Sequence, residues 1–180
     1  KIKGLNILVI DDKQINLNAA VAQLKEGNDV IVLSDFDEAM RLLKGERDDS
    51  FELKPHGFDM VLVDLLMPAG EHCMGSKGMS YVGVEMPIGI FLALVAAKNG
   101  AKYVGILSDM NHHDHPASAC LDNLADIISI NGAKFVASNV GSYSFRNEDL
   151  LNAVDYWDAR DENKRLKEGF VSAKDWRPLA

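Results

Sequence analysis

The run FDMVLVDLLMP, residues 58–68, decides how the chain is read. Residues 59–63 are almost continuously apolar, the pattern of a strand buried on both faces. The run then ends in Asp64, with Met67-Pro68 close behind. A carboxylate at the end of a buried strand is costly unless a charged group stands beside it. Asp64 therefore needs a partner, and the other strand ends are where to seek one.

Four more strand-like runs occur, at residues 5–10 (LNILVI), 29–33 (DVIVL), 103–107 (YVGIL) and 134–137 (KFVA). Helical stripes lie between them, marked by Leu17, Val21 and Leu24, then Ala39, Met40 and Leu43. Ile88, Phe91, Leu92 and Val95 mark a third stripe, Leu121, Leu124 and Ile128 a fourth, and Leu150, Val154 and Trp157 a fifth. Asp37 and Asn147 are placed as N-caps, Gly100 and Gly132 as helix stops. The alternation predicts an α/β fold, a (βα)5 doubly wound parallel sheet of five strands. Right-handed crossovers gather every βα loop at one edge, where such sheets bind ligands. One long connection, residues 69–83, falls on that edge. Its Gly70, Gly75, Gly78 and Gly83 suit a flexible lid or an ordinary surface loop equally. A single domain is expected over 1–159, with 160–180 as a C-terminal helical extension and tail ending in KDWRPLA.

Composition narrows the function. With 47% apolar residues the chain can bury a core, while a net charge of −8 without a Lys/Arg block argues against nucleic-acid and anionic-membrane partners. The longest apolar run, around 86–97, falls short of the roughly 18 residues of a membrane span. No signal peptide is visible. Cys73 and Cys120 stand in no metal or redox spacing, which points to a reducing, cytoplasmic setting.

The first strand ends in Asp11-Asp12, the third in Asp64 and the fourth in Ser108-Asp109. Three converging carboxylates, Asp11, Asp12 and Asp64, repel one another strongly at low dielectric. A hard divalent cation with oxygen ligands, Mg²⁺ above all, relieves that. Taken alone, Asp12 reads first as a helix N-cap and only second as a ligand. A carboxylate beside a metal can also act as nucleophile towards a phosphoryl group.

ILVIDD (7–12), VLVDLLMP (61–68) and YVGILS (103–108) resemble a response-regulator receiver domain over residues 3–159. The resemblance implies a flavodoxin-like strand order 2-1-3-4-5 and a two-component phosphorelay protein. It makes Asp64 the phosphoacceptor, Asp11 and Asp12 the Mg²⁺ side, and the Leu66 carbonyl a further ligand. Ser108 matches the switch hydroxyl and Phe135 the aromatic switch position. Partners would be proteins, such as a sensor kinase or phosphotransfer protein, and a homodimer is compatible with it.

Three features depart from that family. Receivers follow the fifth strand with Lys-Pro, but here FVASNVG puts Ser138 and Asn139 there. Lys134 lies about 13 Å back along the strand and is no substitute; Lys13 and Lys77 are the remaining candidates. The 69–83 insertion is the second departure. The third is NHHDHPAS, 111–118, where His112, Asp114 and His115 imitate part of the metal motif of metallo-β-lactamase-like hydrolases. Met110 replaces its first His and no His follows 115, so that family is rejected. A Zn²⁺ or Ni²⁺ site drawing on His72 or Cys73 is a remaining option.

The expectation is a stand-alone, atypical receiver acting through protein contacts, by phosphorylation or constitutively, rather than an enzyme. Its signalling face would be residues 117–128, 134–137 and 148–158, with Trp157, Phe170 and Trp176 as candidate anchors. The rival is a metal-dependent phosphatase or hydrolase using Asp64. Its haloacid-dehalogenase-like version needs an acid at position 66, where Leu stands.

Overall fold

In the computed structural model, the described residues are 3–47, 53–54, 57–72, 74–124, 126–140, 142–146 and 170–177. The elements run β1 (Asn6–Ile10), α1 (Gln14–Leu24), β2 (Asp29–Leu33), α2 (Phe36–Lys44), β3 (Glu46–Arg47), β4 (Leu53–Lys54) and β5 (Met60–Val63). There follow β6 (Met67–Pro68), β7 (Glu85–Met86), α3 (Gly89–Lys98), β8 (Tyr103–Ser108) and α4 (Pro116–Leu121). The chain continues with β9 (Ile128–Ile130), β10 (Ala133–Asn139), β11 (Ser142–Arg146) and β12 (Phe170–Lys174).

The molecule is α/β with a mostly parallel central sheet of six strands, ordered β2-β1-β5-β8-β10-β9. Strands β1, β5 and β8 are buried almost end to end, as their continuous apolar runs require. Apolar layers cover both faces. One joins Leu8, Ile10, Val61 and Val63 to α2 and α3, and the other joins Ile7, Val9, Met60 and Leu62 to α1 and Trp176. No helix among the described residues is long and apolar enough to cross a membrane.

Several expectations need correction. The sheet is not five-stranded and wholly parallel, because β9 adds an antiparallel edge to β10. The predicted fourth helix ends at Leu121, and Ile128 belongs to β9. Gly132 is accordingly a hairpin turn rather than a helix stop. Asn131 and Gly132 take positive φ values of 50° and 83°, the two-residue turn that matches strand twist. Helix α2 is capped by Asp35, whose carboxylate accepts from the Glu38 N–H at 2.7 Å, so Asp37 is not its N-cap. Gly100 does follow the end of α3.

The predicted fifth helix and its Asn147 cap lie outside the described residues. In the tail, the described 170–174 is strand β12 rather than helix, paired antiparallel with β11.

Candidate acidic pocket

Asp11 and Asp64 leave neighbouring parallel strands at the same level, since Ile10 pairs with Val63. Both carboxylates are buried, as is Ser108 at the end of β8. Behind them α3 begins at Gly89, whose N–H donates to the Leu65 carbonyl at 3.0 Å. A Cβ at Gly89 would overlap the Asp64 carbonyl, so only glycine lets the helix start this close beneath the acid.

The partner of Asp64 comes from the far end of the sequence. Lys174 Nζ lies 2.6 Å from Asp11 Oδ2 and 3.0 Å from Asp64 Oδ1, with no exposed side-chain surface. The absence of a lysine after the fifth strand therefore does not leave the acids without an ammonium group. Strand β12, packed against α1, delivers it. The Lys174 N–H donates to Asn16 Oδ1 at 3.0 Å, and Gln23 Nε2 donates to the Lys174 carbonyl at 3.0 Å. Trp176, fully buried, donates Nε1–H to the Asn16 carbonyl at 2.9 Å and its backbone N–H to Gln23 Oε1 at 2.7 Å. Its ring lies 4.9 Å from Lys174 Nζ, within cation–π range.

The charge is unevenly shared. Asp11 receives Lys174, the Lys13 N–H at 2.9 Å and Asn16 Nδ2 at 3.1 Å. Asp64 receives Lys174. Burial, with Asp11 and Asp109 nearby, outweighs that attraction and pushes the Asp64 carboxyl up to about 7. Burial also disfavours the Lys174 ammonium, yet Asp11, Asp64 and Asp109 together hold its pKa above the ordinary lysine value. For Asp109, burial is outweighed by Lys174 and Lys13, which hold its carboxyl below the usual range. Lys13 Nζ reaches Asp109 at 3.4 Å.

Asp12 is the odd member. Helix α1 has Lys13 at its N-cap position with no side-chain cap, so Asp12 does not take that role. Its Oδ1 is buried without a hydrogen-bond partner, and burial followed by the Asp11 charge raises its pKa. Asp11, Asp12 and Asp64 each offer an oxygen within 4.8 Å of the others, the one such metal-holding group among the described residues. An ion with oxygen ligands at about 2.1 Å needs them roughly 3–4 Å apart, a spacing close to the one these oxygens keep. An all-oxygen donor set containing an orphaned carboxylate oxygen fits a hard divalent cation. Leu66 is buried in the loop between β5 and β6.

The remaining predicted residues divide. Ser108 stands opposite Asn139 across β8 and β10, and its Oγ accepts the Met110 N–H at 3.2 Å. Phe135 is buried in the core opposite Ile128 of β9, so the predicted signalling face carries an extra strand there. Asn139 grips α4 and its C-cap through the Ser118 carbonyl at 3.1 Å and Asp122 Oδ1 at 3.0 Å.

His112, Asp114 and His115 form no metal-holding group among the described residues. His112 instead pairs through Nδ1 with Asp122 at 2.7 Å, and His115 Nδ1 accepts the Ala117 N–H as the cap of α4. Cys73 lies outside the described residues. The 69–83 insertion is built rather than open. It continues the β6–β7 hairpin through a short 3₁₀ turn (Gly78–Tyr81) and docks on α2, where Asp37 accepts the Glu71 and His72 N–H groups at 2.8 and 3.1 Å.

Compared with protein-family models and with curated proteins, the chain matches none. Two groups escaped the sequence reading. Asn16 and Asn18 lie in a run of five consecutive buried residues of α1, a burial that only a second layer over the helix explains. Lys174 and Trp176 form that layer, so Trp176 is a buried packing residue and not the exposed partner anchor expected. The aromatic and β-branched start of FVSAK, the stretch that ends in Lys174, is the sequence signal for a strand there.

Proposed function

We propose that the chain is an atypical receiver whose phosphoacceptor is Asp64 and whose cationic partner is Lys174. The observation that carries this reading is the buried ammonium bridging Asp11 and Asp64 at 2.6 and 3.0 Å. Strands β2, β1, β5, β8 and β10 are read as the flavodoxin-like 2-1-3-4-5 core, to which β9 is an addition. The chemistry is attack by an Asp64 carboxylate oxygen on the phosphorus of a small phosphodonor such as acetyl phosphate. The new P–O bond forms as the bond to acetate breaks, and acetate leaves with the electron pair.

Asp11, Asp12 and Asp64 would hold Mg²⁺, which supplies charge neutralisation for the phosphoryl oxygens when bound. The Leu66 carbonyl is the further ligand expected by resemblance. Lys174 then offers a charge-assisted bond to the phosphorylated side chain, the bond that Ser138 cannot provide. Ser108 adds a neutral hydroxyl. Output passes to a protein partner. The haloacid-dehalogenase-like version of the phosphatase alternative has buried, apolar Leu66 where its general acid should stand.

Intact-mass measurement after acetyl phosphate treatment tests the reading. Wild type should gain one phosphoryl group with Mg²⁺ and little in EDTA, and Asp64→Asn should gain none. No gain by wild type with Mg²⁺, together with unchanged NMR shifts under beryllofluoride, would remove phosphoryl signalling from consideration.

A further inference from the structure

We propose that Lys174 sets how tightly the pocket holds a divalent cation, and that the strap bearing it, residues 170–177, shifts with the charge in the pocket. The proposal rests on reading Asp11, Asp12 and Asp64 as the cation site. Lys174 occupies two of those three carboxylates, so ammonium and metal draw on the same negative charge. The carboxylates of Asp11, Asp12, Asp64 and Asp109 face the ammonium groups of Lys13 and Lys174, which leaves room for a divalent charge but places it next to a buried cation.

The strap has two mechanical links to this charge. One is Lys174 Nζ itself. The other is Asn16, whose Nδ2 donates to both oxygens of Asp11 at 3.2 and 3.1 Å while its Oδ1 accepts the Lys174 N–H at 3.0 Å. The Asn16 carbonyl also accepts the Trp176 indole N–H at 2.9 Å. Movement of Asp11 towards a metal therefore pulls on the strap backbone and on Trp176 together.

Linkage fixes the signs. Two cations sharing carboxylates repel, so Mg²⁺ weakens strap docking and, reciprocally, the docked strap weakens Mg²⁺ binding. An anionic group on Asp64 acts in the opposite direction and tightens the strap. The strap is thus a built-in competitor of the free metal and an ally of the modified aspartate.

The test uses the full chain carrying Trp157→Phe, so that Trp176 is its sole indole. Calorimetry should give Lys174→Met at least tenfold tighter Mg²⁺ binding than the parent. Trp176→Ala, which loosens the strap without removing the ammonium, should shift affinity in the same direction. In the parent, Mg²⁺ should red-shift Trp176 emission and beryllofluoride should reverse it. Affinities within twofold across these variants would overturn the proposal.

A metal-free arm keeps the two readings apart. In EDTA, Asp11→Asn removes the 2.6 Å ion pair and should speed amide exchange across 170–177 at least tenfold. If the parent binds no Mg²⁺, the cation reading of the pocket fails, and the exchange result alone decides whether pocket charge holds the strap. Unchanged exchange refutes that coupling.

Discussion

Asp64 should make the protein less stable as pH rises from 5 to 8, because its carboxyl is pushed up to about 7 in the folded protein. The unfolded chain releases this proton near the usual carboxylate value, so between those limits the folded state binds more protons. By linkage, stability then falls with increasing pH. For a folded value near 7 and an unfolded value near 3.9, the loss between pH 5 and pH 8 is roughly 2–3 kcal/mol. In a chain of this size that corresponds to roughly 5–10 °C in Tm.

Asp12 titrates in the same sense and Asp109 in the opposite one, so the raw pH profile of wild type is a composite. Lys174, with its pKa raised, contributes stability that is lost only above the ordinary lysine range and stays constant over this window. The difference between wild type and Asp64→Asn isolates the single group. Urea denaturation in EDTA at half-unit pH steps should show Asp64→Asn gaining on wild type by roughly 2–3 kcal/mol from pH 5 to pH 8. Parallel profiles across that range would refute the reasoning, and would mean that Lys174 satisfies Asp64 as fully as it does Asp11.

Two further outcomes follow from local geometry. Gly89→Ala gains about 1 kcal/mol by helix propensity, yet its methyl overlaps the Asp64 carbonyl, so a net loss of about 2 kcal/mol is expected by thermal or urea denaturation; a stabilised variant would contradict the packing described for α3. Asp37→Ala removes the acceptor for the Glu71 and His72 N–H groups, so amide exchange should quicken within 69–83 while β1 and β5 stay protected, and equal protection in variant and wild type would show that the insertion is held by other contacts.

The sheet interior is clear in the sequence, because strands buried on both faces must be almost wholly apolar, and β1, β5 and β8 fall within a residue of the expected positions. The half-exposed edge strand β2 falls on 29–33 as expected from its own apolar run. The acids at the strand ends were equally legible, since parallel register fixes which residues leave the edge together. Two things were not. The β9–β10 hairpin is written as ISI-Asn131-Gly132-AKF, but Leu121, Leu124 and Ile128 also satisfy a helical period, and the helical reading took precedence. Lys174 was hidden for a different reason: local patterns report neighbours along the chain, and its partner Asp11 is 163 residues away.

That separation has a consequence in time. Synthesis produces Asp11 and Asp64 well before their ammonium partner, and at about 5–20 residues per second the interval from Asp11 to Lys174 is roughly 10–30 s. From the appearance of Asp64 until then, the two carboxylates stand without Lys174. Docking of the strap then brings the ammonium to Asp11 and Asp64 and lays Trp176 against α1, so supplying the pocket with its cation and packing the helix are one late event in the biogenesis of the protein.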